Sequence, residues 1–128
     1  DAVDQSKRPL LSAEWAGVVD SVGGPMLASL LRAMKYDGCV AACGLAGGAD
    51  LNTSVYPFIL RGVTLRGIDS AWCSMQRRQD VWHRLASDWK LDDLEAIRRT
   101  VGLDELAANA PKLLAGSHIG RTVDDVRQ

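Results

Sequence analysis

The chain has 128 residues, 47% hydrophobic and 24% charged, values that suit one folded domain and exclude a disordered chain. Lys and Arg number 15 against 16 for Asp and Glu, a net charge of −1, so no field steers the chain toward nucleic acid or an anionic membrane. No apolar run approaches the roughly 18 residues that would span a bilayer. The opening DAVDQSKRPLL begins on Asp1 and lacks the basic start, apolar stretch and small-residue cleavage site of a signal peptide, so the chain is expected to be a piece of something longer. Cys39, Cys43 and Cys73 cannot all pair within one chain, and reduced thiols in a cytosolic setting fit them better than a disulfide framework.

In chain order, residues 1–14 are polar and read as a connector. Trp15 to Val19 (WAGVV), closed by Asp20, predicts a strand buried on both faces. Pro25, after SVGG, suits the first turn of a helix, and Met26, Leu27, Leu30, Leu31 and Met34 follow at helical spacing to about Lys35, with Gly38 as the stop. Cys39 to Cys43 (CVAAC) is the next predicted buried strand. Strand, helix, strand over about 30 residues makes a right-handed βαβ unit of a parallel sheet. Ser54 to Arg61 predicts one or two helical turns, and Val63 to Ile68 (VTLRGI) alternates as an edge strand does.

Farther on, Gln76 to Lys90 predicts an amphipathic helix with Val81, Trp82, Leu85 and Trp89 on one face. Ile97 to Val101 is a short predicted strand. Asp104 to Ala115 predicts a helix whose stripe is Leu103, Leu106, Ala107, Ala110, Leu113 and Leu114, stopped by Gly116. Ile119 to Val123 (IGRTV) predicts the last strand. No internal repeat or low-complexity tract is present.

Catalytic constellations fail quickly. The only histidines, His83 and His118, have no G-x-S-x-G elbow to serve, and read as surface or packing residues. Cys39 and Cys43 fall on one strand face but about 13 Å apart, too far to share a metal, and read as small buried residues. Asp92, Asp93 and Glu95 suit a helix start, where the dipole favours acids. The glycine-rich loops carry more. DSVGG follows the first strand and CGLAGG the second, at the carboxyl ends of parallel strands, where ligands bind such sheets. On glycine content alone, simple tight turns explain them slightly better. No G-x-G-x-x-G stands between a strand and a helix, so the pyrophosphate cradle of a dinucleotide fold is absent from this chain.

WAGVVDSVGG, YDGCVAACGLAGG, VYPFILRGVTLRGIDS and GRTV, in this order and spacing, resemble the acrylyl-CoA reductase branch of the zinc-independent quinone oxidoreductases, in the medium-chain dehydrogenase/reductase superfamily. The resemblance runs from about Arg8 to Val123, and CGLAGG followed by PFILRGVTLRGIDS is its most specific part. It implies an α/β fold: the second half of a Rossmann-type parallel sheet with helices (residues 1–72), then a C-terminal segment of a helix and short strands (73–128) that returns to a GroES-like catalytic domain. It implies NADPH as cofactor, transfer of hydride to the β-carbon of acrylyl-CoA to give propionyl-CoA, and no metal. It places cofactor contacts at Leu45, Ile59 and Ser70, and no catalytic residue in this chain.

Departures accompany the match. The glycine-rich phosphate loop and the basic residues that select the 2′-phosphate are missing, and Leu114-Ala115-Gly116-Ser117 lacks the asparagine that relatives place near the C-terminal turn. This chain alone is therefore expected to bind cofactor weakly or not at all. The substrate is expected to be an acyl-CoA or a quinone-type small molecule, the location cytoplasmic, and the assembly a homodimer formed through the Val63 to Ile68 edge. A non-catalytic dimerising remnant of a reductase is the alternative of a different class.

Overall fold

The computed structural model describes residues 3–127. The chain divides into two compact units, Asp1–Cys73 and Ser74–Gln128.

The first unit is a three-stranded parallel sheet in the order β1 (Trp15–Asp20), β2 (Met34–Ala42), β3 (Thr64–Gly67). Helix α1 (Gly24–Arg32) connects β1 to β2, and the short helix α2 (Tyr56–Arg61) precedes β3. In register, Val18, Val40 and Leu65 lie side by side and face α1 and α2. There they pack with Leu27, Leu31, Met34, Phe58 and Val63. Leu31, Met34 and Val40 are fully buried, each contributing roughly 1.5–3 kcal/mol.

Alternation sends Gly17, Cys39 and Thr64, and with them Val19 and Arg66, to the other face, and all five are exposed. Val19 is 80% exposed. This corrects the expectation that the first strand is buried on both faces and that Cys39 and Cys43 are buried: one face is covered by α1 and α2, and among the described residues of this unit no element covers the other. Helix α1 also ends earlier than expected. Ala33 caps it, its N–H donating to Leu30 and Ser29, and Met34 already belongs to β2. Lys35 to Gly38 form an irregularity opposite Ala16, with Asp37 at φ 57°, so Gly38 is a strand glycine rather than a helix stop.

The connector is tied to α1. The Arg32 guanidinium donates to the carbonyls of Asp4, Ser6 and Arg8. Arg61, at the end of α2, donates to the carbonyls of Arg32 (3.1 Å), Met34 (2.8 Å) and Leu11 (2.7 Å). A cation over the last carbonyls of α1 satisfies groups that the helix itself leaves unpaired. It also anchors α2, which at six residues would not persist without tertiary support.

The second unit opens with α3 (Met75–Ala86), capped by Ser74, whose hydroxyl accepts from Arg77 N–H. None of its residues is buried. The expected helix to Lys90 stops at Ala86 because Trp89 N–H turns back to the Arg84 carbonyl and its ring receives the Arg84 guanidinium at 4.0 Å. A 3-10 turn (Leu94–Ile97), β4 (Arg98–Gly102), a second 3-10 turn (Leu103–Glu105), α4 (Leu106–Leu114) and β5 (Arg121–Asp125) follow. Glu95 pairs with Arg98 at 2.6 Å and Asp93 makes no side-chain cap, so the acidic cluster straddles the start of a 3-10 turn rather than capping an α-helix. Strands β4 and β5 are parallel, Arg98 opposite Arg121. The last strand therefore lies two residues beyond its expected position. His118 reaches back to Thr122 Oγ1 at 2.7 Å, and His83 is an exposed α3 residue.

Candidate functional site

The site grows from the carboxyl ends of the first unit's strands. Asp20 ends β1 and is 2% exposed. Its carboxylate accepts from Val22 N–H at 3.3 Å and Gly23 N–H at 3.0 Å, folding residues 20–23 into a side-chain-closed turn that delivers the chain to α1.

That turn is the template for the next loop. Cys43 N–H donates to the Asp20 carbonyl (2.8 Å), Ala46 N–H to Ser21 (3.4 Å) and Gly47 N–H to Val22 (2.7 Å). Gly23 and Gly48 form a parallel bridge. Gly23 has φ 71°, and a Cβ on it would collide with the Gly48 carbonyl oxygen. The two loops meet backbone to backbone, which is what their glycines permit.

Beyond this seam β3 leaves the sheet. Ile68 N–H donates to the Ala42 carbonyl at 2.9 Å, Ser70 N–H to Ile68 at 3.1 Å, and Trp72 N–H to the Asp69 carboxylate at 3.1 Å. Between the two strand ends lies a cavity of about 550 Å³ lined by Ala42, Cys43, Gly44, Leu45, Gly67, Ile68 and Asp69. Leu45, 66% exposed, is thus brought together with the turn that runs directly into Ser70. Ile59 stands apart on α2; it is 69% exposed and does not line this cavity. Asp20, which shapes the wall without touching the space, was missed in the sequence. An acid closing an apolar run just before a glycine turn is the signal that could have found it.

A larger hollow of about 870 Å³ lies between residues 4–9, the start of α1 and residues 47–56. Its Arg32 is committed to backbone carbonyls, and Asp4 is held below the usual carboxylate range, chiefly by hydrogen bonds from the Ser6 hydroxyl and amide. Among the described residues no three His, Cys, Asp or Glu side chains gather as a metal would require. Among them, too, no helix is long and apolar enough to cross a membrane.

No protein-family model matches the chain. It is 51% identical over 120 residues to acrylyl-CoA reductase AcuI of Ruegeria pomeroyi, matching 94% of this chain and 36% of that protein. YhfP of Bacillus subtilis, named as a quinone oxidoreductase, is 45% identical over 96% of this chain and 38% of its own length. The crystal structure of YhfP with NAD bound superposes with a TM-score of 0.84 over 98% of this chain. That of Escherichia coli YhdH with bound NADPH superposes with a TM-score of 0.81, at 42% identity, over 94% of this chain and 38% of that one. The chain thus spans little more than a third of the length of the relatives it matches. In sequence and in fold it corresponds to the C-terminal part of the acrylyl-CoA reductase and quinone oxidoreductase branch of the medium-chain dehydrogenase/reductase superfamily.

Proposed function

We propose that the protein containing this chain is an NADPH-dependent oxidoreductase that reduces an activated carbon–carbon double bond, converting acrylyl-CoA to propionyl-CoA. The carrying observation is the cavity at the carboxyl ends of β2 and β3. It has a glycine loop for one wall, in a chain 51% identical to an acrylyl-CoA reductase. In a parallel sheet this is where a ligand is received.

The residues present fit a nicotinamide cofactor at this cavity. Gly44 lies against Ser21 with no room for a side chain, so bare backbone is presented beside an exposed Leu45. When bound, the reduced nicotinamide supplies a hydride for the substrate β-carbon. This chain's part is to hold and orient: backbone groups at Leu45, on the cavity wall, are the proposed contacts there, and Ile59 and Ser70 are proposed as contacts outside the cavity. Positioning of this kind is most of what a protein adds to hydride chemistry. In this reading residues 1–72 belong to the cofactor-binding domain and 73–128 return to the catalytic domain. The setting is cytoplasmic, and the protein is a homodimer joined through the free edge of β3.

Quinone reduction is the second reading, favoured by the name of the B. subtilis relative. Steady-state oxidation of NADPH by the intact protein, with acrylyl-CoA compared against simple quinones, tests both. A clear preference in kcat/KM for acrylyl-CoA supports the proposal. A preference for quinones selects the second reading. Inactivity with both classes overturns both.

A further inference from the structure

We infer that Asp20 is a positioning residue for the cofactor end of the cavity, acting through the seam between the two glycine loops. This rests on the nicotinamide-cofactor reading above. The carboxylate is buried, and among the described residues no cation pairs with it. A buried acid without a counter-ion is costly to keep, and a serine or asparagine would close a similar turn with less desolvation. What the carboxylate adds is two acceptor oxygens on one rigid plane, each taking one N–H, from Val22 and from Gly23.

With those two amides fixed, the carbonyls of Ser21 and Val22 are fixed as acceptors for Ala46 and Gly47. The Asp20 carbonyl itself receives both the N–H of Cys43 and its thiol, the latter at 3.3 Å. Residues 43–48 are therefore registered at three points on a turn that Asp20 holds. Leu45 sits midway between those points and faces the cavity. The side chain of Asp20 does not line the cavity, so its influence on a ligand passes through the placement of the Leu45 loop.

The test uses the intact full-length protein and the variants D20N, D20A and G47A. A Cβ on Gly47 would lie 2.8 Å from Val22 Cγ1, so this variant perturbs the seam from the opposite side without touching Asp20. The readouts are KM for NADPH, KM for the enone or quinone acceptor, and kcat. In D20A the KM for NADPH is expected to rise about tenfold or more while the acceptor KM stays within about twofold. D20N, which keeps one acceptor oxygen, should fall between D20A and wild type. If D20A does not fold, D20N and G47A carry the same split. A fall in kcat with both KM values unchanged reports only lost folded protein and overturns the inference, as does a parallel rise of both KM values or no change. Wild-type protein that oxidises no NADPH with any acceptor overturns the functional reading itself and Asp20's role with it. That outcome is read before any variant is made.

Discussion

Gly44 lies flat on the backbone of Ser21: a Cβ built on Gly44 would stand 2.5 Å from the Ser21 carbonyl oxygen and 3.0 Å from its carbonyl carbon. Neither atom belongs to a flexible side chain, so a methyl group there must push the two loops apart. Gly44→Ala is expected to cost roughly 1–3 kcal/mol, as overpacking does, and to weaken NADPH retention because Leu45 is the next residue. Urea unfolding and a cofactor fluorescence titration of the full-length variant check the two effects. Stability equal to wild type would show that the seam can open freely.

Arg61 supports a second prediction. Arg61→Met leaves the Leu11 and Met34 carbonyls without their guanidinium donor, and Arg32 with only Leu11 N–H. A loss of roughly 1–3 kcal/mol is expected from such unpaired groups, with Arg61→Lys retaining part of it. Amide exchange should speed up first at Leu11, whose N–H donates to Arg32, and at Gly62 and Val63 beyond α2. Unchanged exchange at these amides would sink the anchoring role.

The proposed dimer can be tested on one side of β3 alone. Ile68 N–H points to β2, so by the alternation of a parallel strand those of Thr64 and Arg66 do too, and that of Leu65 points outward. Val63 N–H is used within the chain, by Pro57, and Val63 is a core residue, so proline there would damage the fold. Leu65→Pro removes an outward donor, and Leu65→Ala controls for lost packing. Sedimentation of the full-length protein should show a dimer for wild type and L65A and a monomer for L65P. A monomeric wild type at micromolar concentration refutes the interface.

Asp4 titrates below its ordinary value of 3.8, mainly because Ser6 donates to its carboxylate from both hydroxyl and amide, with smaller contributions from Arg32 and Arg8. A lowered carboxylate pKa means that its contribution is complete at pH values above 3.8 and is lost as pH falls through the lowered value. Residues 4–8 are thus expected to stay bound to α1 across neutral and mildly acidic pH. Asp4→Asn should loosen them at neutral pH, where wild type does so only below pH 3.8. Amide exchange at Ser6 against pH compares the two, and an identical profile would count against the ion's role.

Much of the first unit was legible because its signals are local. WAGVV and CVAAC are long enough to mark strands, and Pro25 marks the start of α1. Which face of the sheet is covered was not legible: Val18 and Val19 are the same residue type, and only the helices on one side distinguish them. The second unit shifted at its ends because 3-10 turns at Leu94–Ile97 and Leu103–Glu105 spend residues that an α-helical period does not count. In the site, the glycine loops announced themselves by composition. Asp20 did not, because one acid at a strand end gains its meaning from amides that only the folded turn aims at it.

The bond between Arg61 and the Leu11 carbonyl joins positions 50 residues apart in the chain. Closing so long a loop delays a contact relative to the local ones. The β1, α1, β2 unit can pair as soon as those residues are free of the ribosome, and Leu11 N–H can then reach the Arg32 carbonyl, whereas the bond to the Leu11 carbonyl must wait for α2 to be made. Assembly at this point therefore takes two steps: α1 holds the early segment first, and the Leu11 carbonyl receives its donor later, from a residue that emerges long after it.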